Sequence, residues 1–200
     1  MDYIEDLETL EALYGEPFPG AVTKVRARLT PLYHAWLARA RFCILTTVGP
    51  EGTDASPRGD VEPVVRIVDA TTLHLPDWRG NNRTDSLRNI VRDGRVSLLF
   101  MVNGCNNVVR VNGHAKLTAD AAVTTTFEQI GKHPRSVIVV ELEEVYFQCA
   151  KALMRSALWS ADGSVAELPT AGAFLKEVDE DFDATSYDEG YAEYAKPRMW

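Results

Sequence analysis

The chain has 200 residues, of which 46% are hydrophobic, enough to bury one well-packed core. Its 29 acidic residues outnumber 21 basic ones, and the resulting net charge of -8 disfavours nonspecific attraction to nucleic acid or anionic membranes. No apolar run approaches bilayer-spanning length, and no signal-peptide pattern occurs near the start. Three widely spaced cysteines outside any C-x-x-C motif predict free, mostly buried thiols in a cytoplasmic protein.

The first forty residues favour helices. Tyr3 to Tyr14 carries leucines at helical spacing until Gly15 and two prolines interrupt the pattern. Thr30-Pro31 then opens a second helix, with proline in the first turn, where its missing N–H does no harm. Residues 1–40 are therefore expected to form a helical segment that packs on the next part of the chain.

From Arg41 the pattern changes to strands separated by turn signals. Asn103-Gly104 between two apolar runs is a strong hairpin signal. In the run that follows, apolar and polar residues alternate, and Gly113 on the apolar face predicts a bulge or close approach of another backbone. The predicted strands are Phe42 to Val48, Asp54 to Asp60, Val64 to Asp69, Thr72 to Leu75, Arg95 to Val102, Asn107 to Thr118 and Arg135 to Tyr146.

Few helices interrupt these strands. One is expected from Thr84 or Asp85, with Leu87, Ile90 and Val91 on one face. Ala119 to Ile130 and Ala150 to Leu158 are the other predicted helices. A parallel sheet would need a helix after each strand, so the fold class predicted is mainly β, an antiparallel barrel with peripheral helices. We expect the barrel at 41–160 and an acidic surface arm at 161–200, within a single domain overall.

The turn before the central helix has the composition of an anion site. Arg83 and Ser86 lie where a helix N-terminus offers unpaired N–H groups and partial positive charge. A guanidinium and a hydroxyl added to these groups would hold the phosphate of a small ligand. Asn, Thr, Asp and Ser are also ordinary capping and turn residues, so a capped helix without a ligand is the alternative.

Familiar catalytic patterns are absent from the sequence. There is no G-x-G-x-x-G opening a helix, no G-x-x-x-x-G-K-[ST] and no G-x-S-x-G. The four histidines show no i, i+4 pair, so no metal site is predicted. If the protein is an enzyme, a bound cofactor is expected to carry the reaction.

Several motifs occur in an order that resembles the pyridoxamine 5′-phosphate oxidase-like family, and most closely a bacterial branch described as FMN-dependent enzymes. The resemblance spans Arg41 to Trp159 and implies an FMN-binding split β-barrel that forms a homodimer with FMN at the subunit interface. It also implies an oxidoreductase that uses a reduced nicotinamide or deazaflavin donor and acts on an unknown small molecule. The motifs are Ser56 to Asp60, Leu75 to Asp77, Gly80 to Ser86, Arg95 to Phe100, Arg110 to Gly113, Phe147 to Ala152, Arg155-Ser156 and Leu158-Trp159.

The resemblance also implies which residues hold the cofactor, while no catalytic residue is predicted. Arg83 and Ser86 would take the FMN phosphate, and Arg58 would be a second phosphate or ribityl contact. Pro76 and Asp77 would approach the cofactor through their backbone. Four further residues would lie near the flavin or the dimer seam: Arg110, Asn112, Gln148 and Lys151.

Two departures from the family pattern limit what the resemblance implies about activity and substrate. Gln148 stands where relatives carry histidine before Cys-Ala-Lys, so a proton donor of near-neutral pKa is not expected there. The C-terminal Trp and Arg pattern of true pyridoxamine phosphate oxidases is not recognisable, so that substrate is not expected. A non-catalytic flavin-binding or sensor protein remains an alternative. So does a haem-binding protein on the same fold, with His74, His114 or His133 as the axial ligand.

Overall fold

The computed structural model describes residues 1–160 and 168–200. Its strands are β1 (Phe42–Gly49), β2 (Gly52–Gly59), β3 (Arg66–Ile67), β4 (Thr72–Asp77), β5 (Arg95–Met101), β6 (Val108–Thr118) and β7 (Ser136–Gln148). They form one sheet in the order β2-β1-β5-β6-β7-β4-β3, and every neighbouring pair is antiparallel. The predicted fold class, an antiparallel split barrel with peripheral helices, is confirmed.

Helices precede, interrupt and follow these strands along the chain. They are α1 (Leu7–Tyr14), α2 (Pro19–Thr23), α3 (Pro31–Leu37), α4 (Asp85–Arg92), α5 (Ala121–Thr124), α6 (Lys151–Arg155), α7 (Ala171–Val178) and α8 (Ala184–Ala195), followed by a 3-10 turn at Lys196–Arg198. Within the described ranges, none of them has the length and apolar character needed to cross a membrane. Residues 161–167, the first part of the predicted arm, lie outside the described residues.

The core forms where alternate strand positions point inward. On β6 the burial pattern follows the predicted alternation, and the apolar face from Val109 to Ala115 is buried. Leu37 of α3 and Ile90 of α4 join the same apolar cluster, so both helices close over it. Among the largest fully buried side chains are Phe100, Leu45, Leu73, Leu75, Leu98 and Ile138.

Gly113 lies at a bulge, as its position in the pattern predicts. The β6–β7 register shifts between Asn112 and Gly113, where Asn112 pairs with Glu144 but Gly113 pairs with Leu142. Glu143 is therefore an extra residue on β7. A Cβ atom at Gly113 would lie 2.0 Å from the carbonyl oxygen of Glu141, so the two backbones approach closely there.

The predicted helix from Ala119 to Ile130 was wrong, because only α5 is helical. Thr125 and Thr126 donate their hydroxyls to the carbonyls of Ala121 and Val123, and β-branched residues with such local bonds disfavour helix continuation. A tight turn follows, in which Gln129 and Lys132 exchange two backbone hydrogen bonds of 2.9 Å each.

Two strand predictions also needed correction. The run from Val64 to Asp69 forms only the two-residue β3. The strand predicted at Thr72 to Leu75 is longer, because β4 continues through Pro76, which pairs with Val137 of β7. In the described structure β3 pairs with β4 only up to His74, so one edge of β4 at Pro76 is free, and a proline is tolerated at a free strand edge.

Helix α4 turns a different face inward from the one predicted. Ile90 is buried and Leu87 half-buried, but Val91 is 73% exposed. The buried polar residues Ser86 and Asn89 occupy the remaining inner positions. Hydrogen bonds to the β1–β2 hairpin, rather than apolar contact alone, therefore decide how α4 docks.

The cysteines give a testable consequence of burial. All three thiols are free, but only Cys43 is buried, so the prediction that most of them are buried was wrong. Burial raises the pKa of the Cys43 thiol to about 12, although nearby Arg58 opposes the shift. Because the thiolate is the reactive form, Ellman's reagent should label Cys149 and Cys105 in the native protein and leave Cys43 unreacted. Unfolding in denaturant should release the third thiol, and rapid labelling of three thiols before unfolding would contradict this burial.

Candidate cofactor site

A cleft of about 400 Å³ opens beside the ends of β2 and β4, and residues from separate parts of the chain line it. The two strand ends contribute Arg58 and Asp77, the turn after β4 contributes residues 78–84, and Arg135 lies just before β7. The volume is within the roughly 300–1,000 Å³ typical of small-molecule sites. Four arginines and two aspartates line it, so the cleft is locally positive on a chain whose net charge is -8.

An ion pair between Arg58 and Asp77 joins the two strand ends. The guanidinium Nη1 of Arg58 lies 2.5 Å from Oδ1 of Asp77, and the two side chains are 19% and 20% exposed. Alternation along β2 places Arg58 on the same half-buried face as Ser56 and Asp54. The Nε–H of Arg58 is buried and has no acceptor among the described residues. An unpaired buried donor is costly, so this guanidinium is suited to a further acceptor.

Trp78 forms one wall of the cleft. Its indole N–H donates to Oδ2 of Asp60 over 2.7 Å, and the amide of Gln129 donates to the other carboxylate oxygen over 3.2 Å. Asp60 comes directly after β2, so the wall is tied to the strand that carries Arg58. These bonds hold the ring of Trp78 in a defined orientation beside the cleft.

The turn between β4 and α4 presents backbone and side-chain donors to the cleft. Asn82 has a φ of 61°, in the left-handed region that asparagine tolerates, and the N–H of Arg83 donates to the side chain of Asn81 over 2.9 Å. Arg83 is 79% exposed and its Nε pairs with Asp85. That pairing raises the pKa of Arg83, so the guanidinium stays charged. Arg135 donates to the side chain of Asn82 over 3.3 Å, which connects this turn to the start of β7.

Ser86 lies outside the cleft, although it follows Arg83 by only three residues. It is 4% exposed, and its hydroxyl donates to a carboxylate oxygen of Asp54 on β2. One turn later, the amide of Asn89 donates to the hydroxyl of Thr47 on β1 over 3.1 Å. The structure therefore places Arg83 in the cleft and Ser86 in the contact that docks α4 on the hairpin.

Pro76 lines the cleft beside Asp77, whereas the remaining predicted cofactor residues do not line it. Arg110 and Asn112 lie on the outward face of β6, where Arg110 reaches the hydroxyl of Tyr146 at 3.4 Å and Asn112 donates to Glu144 at 3.1 Å. The Nε–H of Arg110 is buried and unpartnered among the described residues. Gln148 ends β7 and Lys151 begins α6. Their assignment to the flavin or the dimer seam stays a prediction.

Arg135 and Met199 are among the cleft residues that sequence reasoning missed. Arg135 reaches it because β7 pairs with β4, with Asp77 opposite Ser136. Met199 reaches it because the chain after α8 returns to the barrel. Neither position carries a local sequence signal.

The residues present fit an anionic, hydrogen-bond-rich ligand such as FMN. The unpartnered Nε–H of Arg58 and the excess of arginine over aspartate suit the phosphate, and the amides and hydroxyls of the turn suit a polyol chain. Trp78 offers an aromatic surface at the same cleft. In the described part of the chain, no group of three or more His, Cys, Asp or Glu residues could hold a metal ion.

Comparison with known proteins places this cleft in a family context. The family model described as pyridoxamine 5′-phosphate oxidase matches residues 29–149, more than half of the chain. The chain belongs to the pyridoxamine 5′-phosphate oxidase family. Members of this family generally bind FMN and commonly dimerise. The matched stretch includes the cleft residues from Ser56 to Ser136 and stops before most of the Phe147 to Trp159 motifs.

Comparison with solved structures found matches of low sequence identity. HupZ of Group A Streptococcus is 16% identical, with 58% of this chain and 92% of that chain covered and a TM-score of 0.48. A candidate pyridoxamine 5′-phosphate oxidase of Lactobacillus delbrueckii is 20% identical, with 60% and 95% covered and a TM-score of 0.48. General stress protein 26 of Bacillus anthracis is 14% identical, with 56% and 88% covered and a TM-score of 0.44. None of these similarities bears on activity. No curated protein matched the sequence.

Proposed function

We propose that the protein is an FMN-binding flavoprotein whose cofactor occupies the cleft between β2, β4 and the turn before α4. The observation that carries the proposal is the Arg58 guanidinium, a half-buried cation with a buried Nε–H that has no acceptor among the described residues. It lies in a positive cleft, within the stretch that matches a family whose members generally bind FMN.

The proposed contacts follow from the position of each residue. Arg58 and Arg83 hold the phosphate or the ribityl chain, and the backbone of Pro76 and Asp77 lies beside the cofactor. Residues on the outward face of β6 and at the end of β7 reach a cofactor only across a subunit interface. We therefore assign Arg110, Asn112, Gln148 and Lys151 to the seam of a homodimer. Ser86 could reach the phosphate only if its hydroxyl left Asp54, so no phosphate contact is assigned to it.

The proposed activity is redox transfer to an unknown small molecule, with a reduced nicotinamide or deazaflavin as the donor. FMN, when bound, supplies the electron-transfer chemistry, and the protein supplies binding, orientation and electrostatics. The arginines hold the anionic end, and Trp78, fixed by its bond to Asp60, shields one side from water. Gln148 cannot act as a proton donor of near-neutral pKa, so no proton is routed through it.

The first test is the absorbance spectrum of the purified protein before and after addition of FMN and desalting. Flavin bands that stay with the protein support the proposal, and a protein that retains no flavin removes it. Rapid mixing with NADPH or NADH then separates the enzyme from a flavin-binding sensor, since only the enzyme should bleach the flavin and pass electrons onward. The described cleft lining contains no histidine, so we expect no Soret band of a histidine-ligated haem at this site.

Single substitutions separate the roles of Arg83 and Ser86, the two residues predicted to hold the phosphate. Arg83→Ala should weaken FMN binding about tenfold, because it removes an exposed cation from the cleft. Ser86→Ala should leave the affinity nearly unchanged and instead lower the free energy of unfolding by about 1 kcal/mol, because Asp54 loses a hydrogen bond. Fluorescence titration with FMN and denaturant unfolding measure the two effects. Equal loss of affinity in both variants, with stability unchanged, would return Ser86 to the phosphate site.

A further inference from the structure

The chain after α8 returns to the cleft in the segment Pro197–Trp200, which we call the strap. Met199 of the strap lines the cleft itself. The Trp200 ring packs edge to face against Trp78, with ring centroids 5.4 Å apart and an interplanar angle of 83°. This distance and this angle are both favoured for an aromatic pair. The strap therefore contacts the same wall that Asp60 holds in place.

Lys132 holds the strap from a second side. Its ammonium group donates to the main-chain oxygens of Pro197 and Trp200, over 2.9 and 3.2 Å. Lys132 closes the tight turn that begins at Gln129, in which Ile130 and Gly131 have φ values of 51° and 71°. The turn is thus well defined by its own backbone bonds.

The same turn also holds the cleft wall. Gln129 donates to Asp60, which accepts the indole N–H of Trp78, and Trp78 packs against Trp200. The turn therefore fixes Trp78 through one of its ends and the strap through the other. This arrangement ties the position of the strap to the wall of the cofactor cleft.

The contacts that hold the strap are separate from the apolar core, and the Trp78–Trp200 pair is only half-buried. Met199 is 53% exposed, and Lys132 lies on the surface. Arg198 turns away from the cleft, because it donates to the carbonyl of Tyr194 over 2.7 Å and stacks on that residue's ring. Among the described residues, release of the strap would break the aromatic pair, the two bonds from Lys132 and the Met199 contact. Segments with few buried contacts open at low cost without global unfolding.

We infer that the strap closes the cleft over its ligand and that Trp200 is the positioning residue that keeps it closed. The inference rests on the proposed function for the identity of the ligand, FMN. With the strap closed, the ligand can leave only after the Trp78–Trp200 contact breaks. Loss of that contact should raise the dissociation rate more than it changes the association rate, because binding-site variants act mostly on dissociation.

The test is the rate at which FMN leaves the full-length protein, followed by the return of flavin fluorescence after dilution. Trp200→Ala should release FMN on the order of tenfold faster than the wild type. Lys132→Ala should change the rate in the same direction. Tyr191→Ala is the matched control, because it removes an exposed aromatic ring from α8 that packs on Tyr187 and not on the cleft. Its rate should equal that of the wild type.

The outcomes separate the strap from the cofactor assignment. Equal FMN release rates in Trp200→Ala and the wild type would overturn the strap and leave the proposed function standing. A wild type that binds no FMN would overturn the proposed function. In that case hydrogen exchange in the flavin-free protein tests whether the strap closes the cleft. Trp200→Ala should then increase exchange in residues 76–84. Unchanged exchange there would overturn the strap as well.

Discussion

Gly113→Ala is expected to lower the free energy of unfolding by about 3 kcal/mol or more, because a methyl group has no room at the β6–β7 bulge. The new Cβ atom would lie 2.0 Å from the carbonyl oxygen of Glu141 and 3.2 Å from the backbone nitrogen of Glu143. Both are main-chain atoms of β7, so no side chain can rotate out of the way. Relief requires the two strands to separate at the centre of the sheet.

Chemical denaturation of the wild type and the variant measures this effect. Gly59→Ala is the matched control, since Gly59 also lies in a strand but its Cβ atom would meet nothing closer than 3.7 Å. That substitution should change the free energy of unfolding by no more than about 0.5 kcal/mol. A Gly113→Ala protein as stable as Gly59→Ala would show that the bulge adjusts without cost.

The fold was predictable where the information is local. The alternation on β6, the Asn103-Gly104 turn and the position of Gly113 each reflect a period or a backbone requirement within a few residues. The α5 region was not predictable in this way. Its apolar residues fit a helix, but the hydroxyl bonds of Thr125 and Thr126 and the turn from Gln129 end it early.

The site was predictable only in the parts that lie on recognisable segments. Arg58, Asp77 and Arg83 lie in motifs that the sequence singles out, and the structure places all three at one cleft. The role of Ser86 depended on the rotation of α4, which its bond to Asp54 on a distant strand determines. Arg135 enters the cleft through the pairing of β4 with β7. Contacts between residues so far apart in the sequence leave no local pattern from which to predict them.

Arg58→Ala is expected to weaken FMN binding about a hundredfold, equivalent to about 3 kcal/mol. Arg58 is the least exposed arginine in an ion pair of the cleft, with a side chain only 19% exposed, so its charge is poorly screened by water. Charge-assisted hydrogen bonds contribute about 1.5–3 kcal/mol each, and a phosphate would offer an acceptor to the Nε–H of Arg58, which has none among the described residues. Isothermal titration with FMN measures the loss.

Removal of Arg58 also leaves Asp77 without its partner, so stability and affinity must be measured separately. The double variant Arg58→Ala with Asp77→Asn removes the unpaired carboxylate and should recover stability but not FMN affinity. Arg88→Ala is the matched control, because Arg88 is an exposed α4 arginine outside this cleft. Its FMN affinity should match the wild type. If the folded Arg58→Ala variant binds FMN as tightly as Arg88→Ala, the phosphate is held elsewhere, and Arg135 becomes the next cleft arginine to replace.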